Sequence, residues 1–406
     1  MDVFLARQPI FDRNLKVYAY ELLFRQGSGY NFFDAANQEL ASNEVLTNGF
    51  FSMDILQVTS GKKAFVNFTQ ELLLSGLAHL LPKDLLTVEI LETVEPLPEI
   101  IQACQQLAEA GYSLALDDFV FEQKYVPLIK LANIIKVDFL NTTKQQRALL
   151  FGGQVPASVE MLAEKVETQA MFDEAVALGC KYFQGFFFSK PLILQGKSIS
   201  HSQLARLQLL QEIKKNELDW NALEEIFRRE VGLSYKLLKY INSPVFGLRG
   251  EVSSIPHAMK LLGQKEMVKW LMLMVFRSIG DKKPDELMAT AVIRARFGEL
   301  LAQRVVLPVS PETVFLTGLF SLLDVFLGHP MMEIAQEMPT ESKVRSVLLG
   351  EPSLATELHR LLLAYEKGDW LSVISLSALF GLKGKEVAKA YSEAIAWYNQ
   401  FSAVNA

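Results

Sequence analysis

Apolar and polar positions alternate in short blocks along the first part of the chain. Runs of β-type residues predict strands over 17–24, 63–68, 85–90, 112–117, 133–138, 159–164 and 181–187. Between them lie segments with helical periodicity, among them 34–51, 97–111 and 168–179. The last two end on Gly111 and Gly179, where a helix C-cap glycine stands just before the next strand. This alternation predicts a parallel sheet with crossover helices and, at this length, a small closed β/α barrel. At Pro191 the pattern changes. From Leu204 onward apolar positions recur at helical spacing, broken by turn signals such as Ser243-Pro244, Gly263, Pro330 and Gly368. The expected fold class is therefore α/β plus all-α. It comprises a TIM-like β/α barrel over residues 1–192, a linker over 193–203 and a helical domain over 204–406.

Composition narrows the partners. The 406 residues are 50% hydrophobic and 21% charged, with a formal net charge of -6, which fits a globular protein and not one that grips a nucleic-acid polymer by a broad basic surface. Cys104 and Cys180 form no CxxC motif and read as free thiols of a reducing compartment. The opening MDVFLARQPIFDR has no basic segment followed by an apolar one, so no leader is expected. The most apolar stretches, 267–276 and 314–328, fall short of a bilayer span, and the second contains Asp324. They read as buried core helices, and a cytoplasmic protein is expected.

The chemistry lies at the strand ends. In order these carry Glu21, Asn67, Glu89, Asp117 with Asp118, Lys136 with Asp138, Glu164 with Glu167, and Gln184. A single acidic residue there commonly caps the following helix. An ordered series matches the place where β/α barrels keep their chemistry, the C-terminal ends of the strands. Oxygen donors without His or Cys suit Mg²⁺ or Mn²⁺. Adjacent aspartates can bridge two such cations in a phosphodiester displacement. Lys136 can orient water or neutralise a phosphate oxygen, a nearby glutamate can accept a proton, and Arg25 can contact a phosphate from the same strand face.

The series YELLFR, VNFT, VEILE, LALDDF, IIKVD, AEKVE and YFQGFFFSKP, opened by RQPIFD, resembles the EAL-domain family of cyclic-di-GMP phosphodiesterases over about residues 3–192. The resemblance implies that Glu21, Asn67, Glu89 and Asp117 ligate a first metal and that Asp117 and Asp118 are shared with a second. It implies that Lys136 and Asp138 form the water-orienting pair beside the substrate and that Glu164 is the general base. Glu167, the second glutamate of that motif, is counted with the metal ligands. Gln8, Arg25 and Gln184 match nucleotide-contacting positions, and Glu92 matches a glutamate that steadies the loop after the paired aspartates. Four features depart from the family's pattern. Glu21 is followed by Leu22-Leu23. The loop after Phe119, glycine-rich in the family, reads Val120-Phe121-Glu122-Gln123-Lys124. Lys165 stands where the family has glycine. The stretch from Asp138 to Glu164 is short, which suggests a trimmed crossover helix. Val120 is β-branched and cannot take a positive φ cheaply, so the loop is expected to follow another path.

The run L-S-x-x-L-L-x-x-x-N-S over 233–243 and IPHAMKLLG over 255–263 resemble the HDOD family, a helical HD-related fold without metal ligands. None of the five histidines is followed by aspartate. An interaction or output module is therefore expected, with a protein partner and a homodimer allowed. Two function classes stay open. One is a two-metal phosphodiesterase that opens cyclic-di-GMP to the linear dinucleotide. The other is a catalytically degenerate EAL domain acting as nucleotide sensor or scaffold.

Overall fold

The computed structural model describes residues 2–27, 55–186, 220, 223–224, 227, 231–243, 246, 248, 250–279, 283–337 and 340–405. The expected helix over 34–51, the linker over 193–203 and the side chain of Arg25 lie outside them.

Eight strands close into a barrel in sequence order. They are β1 (Asp2–Asp12), β2 (Val17–Gly27), β3 (Lys63–Phe68), β4 (Leu86–Ile90), β5 (Ser113–Leu116), β6 (Ile134–Asp138), β7 (Glu160–Glu164) and β8 (Tyr182–Gln184). Around them run α1 (Ile55–Val58), α2 (Gln70–Leu74), α3 (Pro98–Glu109), α4 (Val126–Ile129), α5 (Lys144–Leu149) and α6 (Gln169–Leu178). The strands are buried on both faces, as a sheet covered by helices requires. Thr143 and Gln146 form a reciprocal capping box at the start of α5, and Thr168 caps α6. Gly111 and Gly179 both take positive φ where their helices end.

The sheet is not wholly parallel as the alternation predicts. β1 runs antiparallel to both β2 and β8. The physical reason is the connection Arg13–Lys16, which is too short for a crossover and makes a tight turn. Asp12 Oδ1 accepts from the backbone N–H groups of Asn14 (2.8 Å) and Lys16 (2.9 Å), and Leu15 takes φ 58°.

The barrel belongs to a compact unit made of Met1–Lys190 and Arg360–Lys389. The second segment is a difference from the expected division, which places 360–389 in the helical domain. Its helices are the end of α14 (Leu354–Lys367; α7 to α13 are given below), α15 (Trp370–Leu379) and the start of α16 (Gly384–Asn405). Among the described residues β8 pairs with Ile10–Asp12, which leaves the rest of that edge of β1 to another partner. Tyr365 supplies it, its hydroxyl accepting from Leu5 N (3.3 Å) and donating to Leu5 O (3.0 Å). Trp370 stacks on Phe4 at 5.6 Å, and Gly384 lies where any Cβ would strike the Phe4 ring.

The other unit comprises Pro191–His359 and Ala390–Ala406. Its described helices are α7 (Val231–Ile241), α8 (Ile255–Ile279), α9 (Asp285–Ala302), α10 (Pro311–Phe320), α11 (Leu323–Leu327), α12 (Met331–Glu337) and α13 (Ser342–Leu348), with parts of α14 and α16. The apolar runs 267–276 and 314–328 do form buried core, with Met267, Leu273, Phe276, Leu319 and Leu323 fully enclosed. Gly318 lets α9 and α10 approach closely, since a Cβ there would sit 2.6 Å from Ala295 Cα. Asn242 clamps the following loop through two bonds to the Val252 backbone, of 2.8 and 2.7 Å. Among the described residues no helix is long and apolar enough to cross a membrane.

Candidate functional site: a carboxylate layer in the barrel

The floor of the site is a layer of buried side chains, Ile10, Ala19, Phe65, Ala115, Ile134, Leu162 and Tyr182. Side chains on a strand repeat at every second residue on one face. One step further toward the mouth therefore lie Gln8, Glu21, Asn67, Asp117, Lys136, Glu164 and Gln184, with Glu89 above Thr87 on β4. Register places Gln8 beside Glu21 and Asn67 beside Glu89, while Glu164 pairs with Asp138, two residues past Lys136. A polar layer thus sits directly on an apolar plug, where water is excluded from below.

Lys136 lies at the centre of this layer and is 1% exposed. Its Nζ is 2.6 Å from Glu164, 2.9 Å from Asp117 and 3.5 Å from Glu21, and it also contacts Glu89. Glu21 accepts from Gln184 Nε2 (2.6 Å) on one oxygen and from Asn67 Nδ2 (3.3 Å) on the other. Gln184 Nε2 also reaches Gln8 Oε1 (3.2 Å), and Gln8 donates to the backbone oxygen of Lys367 (3.2 Å). Asp138 turns away from the centre. It accepts from Leu140 N (2.7 Å), Asn141 N (2.8 Å) and Asn141 Nδ2 (2.7 Å), and meets Lys165 at 2.5 Å.

One cation among so many carboxylates leaves repulsion unrelieved. Burial, reinforced by Glu164 and Glu21, pushes Asp117 up to about 9. Burial also pushes Glu164 up to about 7 against the opposing pull of Lys136. Glu21 is buried too, but the charge of Lys136 and the bonds from Gln184 and Asn67 outweigh that and hold it below its ordinary value.

Among the described residues, two groups of carboxylates converge closely enough to hold an ion, Glu21–Glu89–Glu164 and Asp117–Asp118–Glu164. Three buried oxygens of the layer have no hydrogen-bond partner: Glu89 Oε2, Asn67 Oδ1 and Gln184 Oε1. A buried, unpaired carboxylate oxygen is costly unless something else satisfies it. The donor set is all oxygen, so a hard divalent cation fits.

The remaining sequence-named residues are placed as follows. Glu164 belongs to both groups. Glu167 is half-buried, three residues past the end of β7, and is in neither. Glu92 lines a cavity of about 220 Å³ together with Asp117, Asp118, Phe119, Val120 and Glu122. The loop that Glu92 was expected to steady is tied by Lys124, which bonds Glu95 at 3.2 Å. Positive φ falls on Asp118 (40°), not on Val120, and the chain then enters a short 3-10 turn at Gln123–Tyr125. The crossover after Asp138 is short, with α5 spanning six residues. Sequence reading did not foresee the partners of Lys165, whose ammonium bonds Asp118 (3.0 Å) as well as Asp138. Its departure from glycine was the available signal.

Fold and site together define a β/α-barrel protein with an oxygen-donor site suited to a hard cation, joined to a helical domain. Residues 203–358 match the family model of the HDOD domain. The chain is 35% identical to the uncharacterized protein YuxH of Bacillus subtilis over 98% of each chain. It is 31% identical to the cyclic di-GMP phosphodiesterase CdgJ of Vibrio cholerae, over 97% of this chain and 92% of that one. The chain belongs to the family of these two proteins. Among solved structures, the Bacillus subtilis YkuI protein, with an EAL domain and in complex with c-di-GMP and calcium, is 19% identical. That match covers 66% of this chain and 74% of the other, with a TM-score of 0.39.

Proposed function

We propose that this chain is an EAL–HDOD fusion whose barrel is a Mg²⁺- or Mn²⁺-dependent phosphodiesterase that opens cyclic di-GMP to the linear dinucleotide. The observation that carries the reading is the buried carboxylate layer with unpaired oxygens, in a chain related over nearly its full length to a cyclic di-GMP phosphodiesterase. Glu21, Asn67, Glu89 and Asp117 would hold the metal. A divalent cation bound there would supply Lewis acidity, polarising a phosphoryl oxygen and lowering the pKa of water. Hydrolysis forms one bond from water oxygen to phosphorus and breaks the bond to the ribose 3′ oxygen. Glu164 takes the proton from the attacking water, and solvent protonates the 3′ oxygen as it leaves. Lys136 offsets the charge that gathers on the phosphoryl group. Gln8, Gln184 and Arg25 contact the nucleotide, and the helical domain carries the output to a protein partner.

A nucleotide-sensor reading is favoured by one feature, the ion pairs of Lys165 with Asp118 and Asp138. The two readings separate on one experiment. Wild-type protein is expected to show an Mn²⁺-dependent thermal shift and turnover of cyclic di-GMP. Glu21→Ala is expected to lose the shift and more than about 100-fold of the turnover. Identical Mn²⁺ shifts in variant and wild type would sink the metal assignment. Nucleotide binding in Ca²⁺ with no turnover in Mg²⁺ or Mn²⁺ would establish the sensor.

A further inference from the structure

We propose that the ammonium of Lys165 takes the place of a second cation, so that the carboxylate layer binds one divalent ion per chain. The inference rests on the metal reading above and concerns how many ions that site accepts. The two carboxylate groups share Glu164 but are not equivalent. All three unpaired buried oxygens of the layer lie on Glu89, Asn67 and Gln184. Those residues surround Glu21 and line the first group. The Asp118 side chain is instead 34% exposed and open to solvent.

Lys136 faces both groups, but the second has a further cation of its own. Lys165 Nζ lies 3.3 and 3.0 Å from the two oxygens of Asp118, and 2.5 Å from Asp138 Oδ2. In that group Asp117 belongs to the first metal's expected ligands and Glu164 is the expected general base, so Asp118 is the ligand left for a second ion, and Lys165 holds it. The backbone shows that the placement is specific. Lys165 (φ 52°) and Asp118 (φ 40°) both sit in the left-handed region that non-glycine residues avoid, and they do so facing one another. Lys165 is held from behind, where Val166 N donates to Gln184 O (2.9 Å) at the join of β7 and β8. An ammonium gives positive charge and three N–H donors to a phosphate oxygen, but it does not acidify water as a metal does.

The test is the number of Mn²⁺ ions bound by the full chain, measured by equilibrium dialysis with metal analysis and by electron paramagnetic resonance. Wild type is expected to bind one ion per chain and to give the spectrum of an isolated Mn²⁺. Lys165→Gly frees Asp118 and Asp138 and is expected to bind two, with the spectrum of a coupled pair. Lys165→Met removes the charge while keeping the side-chain length, and serves if the glycine variant does not fold. Two ions in wild type would overturn this inference alone. No bound ion would overturn it together with the metal site. One ion in both variants would show that Lys165 is not what limits the count. One ion in wild type without hydrolysis would uphold the inference and refute the proposed catalysis.

Discussion

His359 shows what burial does to a single side chain. Its Nδ1 is enclosed without a hydrogen-bond partner, and burial, with the nearby Arg294 charge second, pushes the imidazole down to about 3. The unfolded chain binds that proton near pH 6.5 and the folded chain does not, so its contribution to stability is present above 6.5 and is lost as pH falls toward 3. Denaturant unfolding of wild type is expected to weaken more between pH 7 and pH 5 than that of His359→Leu. Parallel pH profiles would contradict this. The same scale explains what the sequence revealed of the site. Glu21, Asn67, Glu89, Asp117, Lys136, Glu164 and Gln184 each stand two positions beyond a floor residue or Thr87, so strand periodicity alone puts them in one layer. The contacts of Lys165 were not legible, because they depend on a positive φ that no propensity assigns to lysine. Gly185 is the reverse case. Its φ of 144° and the Val166 backbone, 2.2 Å from where a Cβ would stand, leave room only for glycine.

Tyr365 joins two elements through one hydroxyl. Phenylalanine in its place would keep the ring against Phe4 and leave both Leu5 backbone groups unpaired. Tyr365→Phe is therefore expected to cost about 1–3 kcal/mol in denaturant unfolding. A change within error would mean that solvent reaches the β1 edge. The strands themselves were legible as apolar runs: β3 coincides with its expected range, and the boundaries of β4 to β8 fall within three residues of those expected. The direction of β1 was readable in principle, since the connection Arg13–Lys16 cannot carry a crossover. The partner of its free edge was not, because a tyrosine far along the chain carries no local mark of where it docks.

The whole molecule divides differently from its hydrophobic pattern. Helical periodicity runs from Leu204 to the end, so nothing in the pattern separates 360–389 from the helices before it. The HDOD match stops at residue 358, and the compact helical unit gives way at His359. We expect a fragment ending at residue 192 to lack a cooperative thermal transition, because Phe4 and the edge of β1 lose Tyr365 and Trp370. A sharp transition matching the full chain's would show the barrel to be self-sufficient. The same segment reaches the carboxylate layer through Lys367 O, Gln8, Gln184 and Glu21, so activity assays belong on the full chain. The measurement that tests the account most directly is the conversion of cyclic di-GMP by that full chain in Mn²⁺ or Mg²⁺, followed by chromatography. Formation of the linear dinucleotide, abolished by a chelator and by Glu164→Gln, is the predicted result. Intact cyclic nucleotide in both metals, with the protein folded and the ion bound, would contradict it.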